Sequence, residues 1–408
     1  MVEVTITRLG LHGDGVADGP LYVQRALPGE KVAGEVDGQN LTDPKILMSS
    51  DRRVAPPCRH YKSCGGCQLQ HADDDFVATW KVGVVQQALT AHGLDTEFRP
   101  IATSPPRSRR RAGFAARRTK KGAMVGFHGR ASDTIVPIPD CQLLLPEVLA
   151  ATPAIEELAH AGASRKAVLS VMVTQSLPGL DVTVRDGKAL DGQLRQTLAA
   201  VAQRADFARL TWDDEVVAMR APPVQIFGAA EVTPPPGAFL QATAHGQQVL
   251  TDAVLEITEG AGRIIDLFAG CGTFTLPLAA GAEVHGVEGD AEMLAALDRG
   301  WRHAEGLKRV TTEPRDLFRR PLMPDELVKA DAVVLDPPRA GAEAQVAELV
   351  QAHVPRLAYV SCNPVTFARD VSVLTGAGYN LDWVQVVDQF RWSAHVELVA
   401  SLTATHMR

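Results

Sequence analysis

With 408 residues the chain is too long for one ordinary core, so two or three domains are expected. A hydrophobic share of 46% with 22% charged residues is that of a globular protein, and no apolar run approaches the roughly 20 residues a membrane span needs. The formal net charge of −7 speaks against a nucleic-acid partner if taken as an average; yet between positions 107 and 121 stand eight basic residues and no acidic one, and a local patch is what attracts a phosphate backbone.

Residues 1–50 read as a small β unit. Residues 2–7 alternate apolar and polar, Gly13-Asp14-Gly15 and Asp18-Gly19-Pro20 are turn signals, and short strands are predicted at 21–23 and 31–36. Strands at this spacing predict a small barrel, a shape that often binds single-stranded nucleic acid. Glu3 and Arg8 interrupt any leader-like apolar segment, which predicts a cytoplasmic protein. A polar linker at 51–57 leads into Cys58, Cys64 and Cys67, with Cys141 well downstream. The spacing of Phe76, Trp80, Val84 and Leu89 predicts a helix over 76–92. The basic run that follows, with Phe114 inside it, is read as an RNA-facing patch. Residues 122–232 mix strands (168–173, 180–184) with helices (146–160, 193–205), and three successive prolines within 233–237 mark a domain boundary. Beyond it strands and helices alternate. Strands are predicted at 263–268, 283–288, 332–335 and 357–361, helices at 291–303 and 364–375, and two late antiparallel strands at 383–388 and 396–400. This is the pattern of a doubly wound α/β domain. The division is therefore a barrel over 1–50, a central α+β domain over 51–237 and an α/β domain over 238–408.

Six cysteines in a long chain do not resemble a secreted disulfide scaffold, and their clustering points to a metal or to catalysis. Cys58, Cys64, Cys67 and Cys141 suit one inorganic centre. Four thiolates can hold zinc or an iron–sulfur cluster, and the lack of a second CxxC weakens the zinc-ribbon reading.

The run from Asp266 to Phe274 (Asp-Leu-Phe-Ala-Gly-Cys-Gly-Thr-Phe) follows a strand and is expected to open a helix, so that small residues and free N–H groups face a ligand. Glu288 ends the next strand, where an acid suits ribose hydroxyls. NAD and S-adenosylmethionine both bind such loops. The third glycine of the dinucleotide fingerprint is missing, which favours S-adenosylmethionine. Asp316 follows the next strand and could reach the adenine. Asp336-Pro337-Pro338-Arg339 ends another strand, and the arginine stands where amine methylases carry an aromatic residue. Cys271 is read as a space-filling residue.

Cys362, in Ser361-Cys362-Asn363-Pro364, lies at a strand end before a helix that Pro364 opens, a setting that can lower a thiol pKa. A thiol beside a methyl donor has a chemical rationale. Carbon 5 of a pyrimidine is a poor nucleophile until a thiolate adds at carbon 6; a base must then remove the carbon 5 proton so that the thiolate can leave. His395-Val396-Glu397 supplies candidate bases, with Glu397 flanked by apolar neighbours that would raise its pKa.

Together these residues resemble the bacterial RNA 5-methyluridine methyltransferases that carry an iron–sulfur cluster. The resemblance spans nearly the whole chain. It rests on Cys58-x5-Cys64-Gly65-Gly66-Cys67 with Cys141, on Phe239-Leu240-Gln241, on the Asp266 loop, on Leu335-Asp336-Pro337-Pro338-Arg339, on Ser361-Cys362-Asn363-Pro364 and on His395-Val396-Glu397. Residues 13–17 and Leu27-Pro28-Gly29-Glu30 are similar to the small RNA-binding barrel called the TRAM domain. The resemblance implies a Rossmann-like class I methyltransferase domain, with Cys362 as nucleophile and Glu397 as general base. It implies S-adenosylmethionine contacts from Gln241, Phe268, Thr273, Glu288, Asp316 and Asp336, and a [4Fe–4S] cluster on Cys58, Cys64, Cys67 and Cys141. Thr273 departs from the asparagine that close relatives often carry. The expected partner is RNA, ribosomal before transfer RNA, with no membrane and no obligate protein partner. The alternatives are a transfer-RNA enzyme, carbon 5 methylation of cytidine, and a cluster-bearing RNA-binding protein without turnover.

Overall fold

The computed structural model describes residues 1–405. Strands Val2–Leu9, Gly15–Ala17, Leu21–Val23, Lys31–Asp37 and Asn40–Met48 close into a barrel around Ile6, Val23, Val32 and Leu41. Closure depends on glycine: a Cβ on Gly34 would lie 2.6 Å from the Thr42 carbonyl oxygen, and one on Gly15 2.9 Å from that of Ala26. Two bidentate ion pairs seat the barrel on the body. The fully buried Glu30 takes Arg53 at 2.5 and 2.8 Å, and Asp14 takes Arg130 at 2.7 Å through each oxygen.

The central sheet runs in the order Glu215–Met219, Arg209–Trp212, Gly179–Arg185, Leu169–Ser176, Arg111–Arg118, Ala123–His128, Ile135–Val136. Helices Thr152–Gly162 and Gly192–Arg204 pack on it. The helix expected over 146–160 is in fact two, Pro146–Ala150 and Thr152–Gly162. Pro153 lacks an N–H and so sits in the first turn of a new helix rather than inside an old one.

The basic run is a correction. Arg111–Arg118 alternates, so Ala112, Phe114 and Ala116 face the core; Phe114 is buried and stacked on Phe127 at 5.5 Å, out of reach of any RNA base. Arg110 is buried too. It donates to the Gln241 carbonyl at 3.1 Å and to Gln247 Oε1 at 2.6 Å, while Arg111 reaches the Gly237 carbonyl at 3.2 Å. These two arginines seat the segment after the proline run. Only Arg107, Arg117, Lys120 and Lys121 stay fully exposed.

The large sheet has eight strands in the order Val310–Pro314, Glu283–Glu288, Arg263–Leu267, Ala332–Leu335, Arg356–Ser361, Leu398–Ala404, Tyr379–Asp388, Glu97–Thr103. The first five are parallel. Leu398–Ala404 runs antiparallel to both its neighbours. The order reverses beside Arg263–Leu267, the switch point where α/β sheets bind ligands. The last strand comes from far away in sequence: Glu97–Thr103 pairs in parallel with Tyr379–Asp388. Helix Asp74–Thr90 packs on helix Pro364–Gly376, and its buried Lys81 holds Asp388 at 2.6 Å. The hairpin Gln225–Phe227 with Ala230–Val232 lies before the proline run, yet its Phe227 and Val232 pack with Leu276 and Ala296 of the large unit. Among the described residues no helix is long and apolar enough to cross a membrane.

Candidate active site

The carboxyl ends of the parallel strands open into one cleft of about 830 Å³. Its walls include Gln241, Phe268, Thr273, Glu288, Asp316 and Asp336, together with Cys362 and Glu397. All eight residues singled out for this site from sequence are thus brought together. The loop after Arg263–Leu267 turns sharply, with φ of +63° at Phe268, +55° at Gly270 and +93° at Gly272. A left-handed phenylalanine is uncommon and is held here by its surroundings. Gly270 donates its N–H to Glu288 Oε2 and Asp290 donates to Oε1, both at 3.0 Å, so the carboxylate is fixed with lone pairs left for hydroxyl donors. The helix expected after the loop is a single turn, Thr275–Leu278. The loop's own backbone, not a long helix, therefore faces the ligand. Phe268 and Phe318 stand 5.6 Å apart beside Asp316, which suits a flat ring.

Carboxyl groups crowd the cleft and the layer beneath it. Asp266 is completely buried; it accepts from Thr275 Oγ1 at 2.5 Å, and its other oxygen has no partner. Its pKa is pushed up to about 7, chiefly by burial. Asp336 is likewise pushed up to about 7 by burial, then by the charges of Asp266 and Glu288. Glu397 rises to about 8 through burial and then through Asp336. Burial is the chief reason each of these acids resists ionising, with Arg339 opposing it at Glu397, and a positive charge brought beside them would be attracted. The donor set fits the sulfonium and ammonium charges of S-adenosylmethionine.

Glu397 immediately precedes Leu398–Ala404, and its carbonyl accepts from Val387 N–H at 2.8 Å. Its carboxyl is oriented by Gln389, a buried residue that the sequence did not single out. Gln389 Nε2 donates to Glu397 Oε2 at 3.1 Å and to Gln241 Oε1 at 2.6 Å, and its Oε1 accepts from Ala242 N–H at 2.8 Å. Both faces of the amide are in use, which fixes its orientation. Gln241 is fixed in turn, with its Nε2 toward Asp336 Oδ2 at 3.5 Å. The only signal in the sequence was the position of Gln389 just past a strand end. His395, the other candidate base, is exposed and accepts from Arg339 at 2.6 Å through Nδ1, so its proton-accepting nitrogen is engaged.

Cys362 follows Arg356–Ser361, and Asn363 caps helix Pro364–Gly376 by accepting from Val365 N–H at 3.1 Å. The lowered thiol pKa expected from the helix start is not what this setting produces. Burial pushes the Cys362 thiol up to about 11; Glu397 and Asp336 push the same way, and Arg339 opposes them. The helix start is outweighed by burial, to which two nearby carboxyls add.

Cys58, Cys64, Cys67 and Cys141 line a separate small cavity with Tyr61, Phe127 and Ile138. Burial, and then the neighbouring cysteines, push Cys67 up to about 12. Among the described residues no three His, Cys, Asp or Glu side chains are grouped closely enough to hold one metal ion. The four sulfurs line that one hollow, and Gly66 N–H donates to Cys64 Sγ at 3.4 Å. The cysteine loop also braces the active site. Gln68 and Leu69 donate their N–H groups to the Trp392 carbonyl at 2.8 and 2.9 Å, within the segment leading to Glu397. Arg109 lines the cleft and sets its guanidinium 5.7 Å from the Phe390 ring centre.

The switch-point cleft, glycine loop and reversed last strand make a Rossmann-like α/β unit, and a small barrel precedes it in the chain. A family model described as tRNA (Uracil-5-)-methyltransferase matches residues 302–405, which contain Asp316, Asp336, Cys362 and Glu397. An uncharacterised RNA methyltransferase of Brucella suis is 44% identical over 404 residues, covering 98% of this chain and 97% of its own. The 23S rRNA (uracil(1939)-C(5))-methyltransferase RlmD of Shewanella piezotolerans is 31% identical over 98% of this chain and 95% of its own. The chain belongs to the RNA (uracil-5-)-methyltransferase family. Among solved structures, the Pyrococcus abyssi tRNA (uracil-54, C5)-methyltransferase in complex with S-adenosyl-L-homocysteine has the same fold, with a TM-score of 0.78 at 23% identity over 98% of this chain and 99% of that one.

Proposed function

We propose that this enzyme methylates carbon 5 of one uridine in 23S ribosomal RNA, through a transient bond between Cys362 and carbon 6 of the ring. The observation that carries the reading is the opening of Cys362 and Glu397 into the cleft that the glycine loop and its acids also line. S-adenosylmethionine would supply an electrophilic methyl group there. Glu288 would take its ribose hydroxyls, Asp316 with Phe268 its adenine, and Gln241, Thr273 and Asp336 the remainder. Bringing that cation beside Asp336 and Glu397 favours their ionised forms, and a positive charge close to the thiol, which burial chiefly keeps protonated, favours its thiolate.

The Cys362 sulfur, its proton passed to solvent, adds to carbon 6, and the electron pair released to carbon 5 takes the methyl group, whose former bonding pair would stay with the donor's sulfur. Glu397, oriented by Gln389, then removes the carbon 5 proton. The C5–C6 double bond re-forms and the thiolate leaves. A [4Fe–4S] cluster on Cys58, Cys64, Cys67 and Cys141 would hold the loop that braces Trp392, with no part in the proton or methyl steps. The barrel and the exposed Arg117, Lys120 and Lys121 would meet the RNA backbone. The full-length similarity to the Shewanella enzyme supports ribosomal RNA.

The test uses RNA from cells lacking the protein and methyl-labelled S-adenosylmethionine. Label should enter 23S rRNA as 5-methyluridine and vanish with Cys362→Ala. Label in transfer RNA instead would overturn the substrate assignment, and equal labelling by Cys362→Ala would overturn the mechanism.

A further inference from the structure

The catalytic cleft does not end at Cys362. A second hollow of about 350 Å³ shares Arg339, Cys362 and His395 with it and continues between His12 of the barrel and Gln87 of helix Asp74–Thr90. A third, of about 360 Å³, shares Leu11, Val84 and Gln87 with the second and runs on past Arg8 and Trp80. The three form one trough along the seam between barrel and helix. The cleft is rich in carboxyl groups, but neither of the two further hollows has an acidic residue in its walls, although the chain as a whole carries −7. The side chains that line them are of two kinds. Leu11, Val84 and Trp80 offer apolar faces, while Arg8, His12 and Gln87 offer polar ends that hydrogen-bond to no other described residue.

We propose that this trough is a track for single-stranded RNA, taking two nucleotides on one side of the target uridine. Apolar faces with polar side chains and the Arg8 cation beside them suit a flexible strand, because bases stack on the first while hydroxyls and phosphates pair with the second. Each hollow has room for one nucleotide, and each shares a wall with the next, as successive nucleotides require. A target base already turned out of its stack leaves its neighbours unpaired on that side, ready to lie in the seam. Gln87, with a free amide in the wall common to both further hollows, is placed to read a base edge. The barrel thereby becomes one wall of the substrate site and not a remote tether. This inference rests on the reading of Cys362 as a nucleophile toward uridine.

The experiment uses oligoribonucleotides with one central 5-fluorouridine and random flanks, incubated with S-adenosylmethionine and the full-length protein. Cys362 adds at carbon 6 and carbon 5 takes the methyl group, but fluorine cannot leave as a proton does, so the thioether persists and traps the RNA. Sequencing the trapped RNA should show base preference at the two positions next to the target on one side. Abasic sites at those two positions should lower trapping at least about tenfold. Gln87→Ala should erase the preference, and Arg8→Glu should weaken trapping of RNA with intact and with abasic flanks alike, because an abasic site keeps its phosphate. Both residues are exposed, so neither change threatens the fold. Trapping without one-sided preference, or preference unchanged in Gln87→Ala, overturns the track while leaving the function intact. No trapping by the wild type would overturn the function itself, and the track with it.

Discussion

Replacing Gln389 by Met tests whether Glu397 is a tuned base. Met is close in length and can fill the buried space, but it makes none of the three hydrogen bonds to Glu397, Gln241 and Ala242. Donation from Gln389 favours the ionised carboxyl and so lowers its pKa against the larger upward effect of burial, which leaves it at about 8. A hydrogen bond to a charged group contributes about 1.5–3 kcal/mol. At about 1.4 kcal/mol per pH unit, its loss should raise the pKa by roughly one to two units. The base works only when ionised, so the acid limb of the rate profile should move to higher pH by that amount. Near neutral pH the rate of proton removal should fall about 10- to 100-fold, with recovery at the alkaline end. Release of tritium from RNA carrying 5-tritiated uridine, followed from about pH 6 to pH 10, reads this step directly. A loss of the same size at every pH, with the limb unmoved, would show that Gln389 merely packs and would refute the argument.

Glu397→Gln should transfer the methyl group but fail to release the enzyme, giving a slower protein–RNA band on a denaturing gel; an unshifted band with normal product would contradict its role. The Cys362 thiol, held near 11 without ligands, should react with iodoacetamide about tenfold faster per pH unit well past pH 8, and a cationic, methyl-inert cofactor analogue should speed the reaction at fixed pH. A plateau below about pH 9 would disprove the raised value. Lys81→Met should destabilise the protein by about 3–5 kcal/mol in urea unfolding, because it strands Asp388 in the core; a change under about 1 kcal/mol would mean that the pair is dispensable. Anaerobically prepared protein should contain iron and absorb broadly near ~400 nm, and Cys67→Ser should lose both; an iron-free, colourless wild type would remove the cluster.

The site was legible wherever chemistry is written at a strand end. Glu288, Asp336 and Cys362 each stand at or just past the end of a strand, so the sheet alone places them at one edge. Gln389 was not legible because its role comes from three partners, two of them nearly 150 positions away. The arginines misled for the same reason. Arg110 and Arg111 look like a solvated patch in sequence, and only the tertiary structure supplies the carbonyls that turn them inward. The Cys362 pKa was misjudged because a helix start is local, whereas the burial that chiefly opposes it, and the carboxyls that add to it, come from the tertiary fold. The strand Glu97–Thr103 could not be placed from its own residues, since an edge strand's partner is a matter of long-range pairing.

That edge strand also sets an order of events during synthesis. Residues 97–103 are made long before 379–388, against which they pair, and the strand Leu398–Ala404 between Tyr379–Asp388 and the rest of the sheet is made later still. The early strand must wait, unpaired, for nearly the whole chain. Glu397 and the strand that carries it forward join the sheet only in that final stage. A nascent chain can therefore complete its barrel long before the residues of 379–404 exist, but it has no working base until the strand that Glu397 precedes is in the sheet.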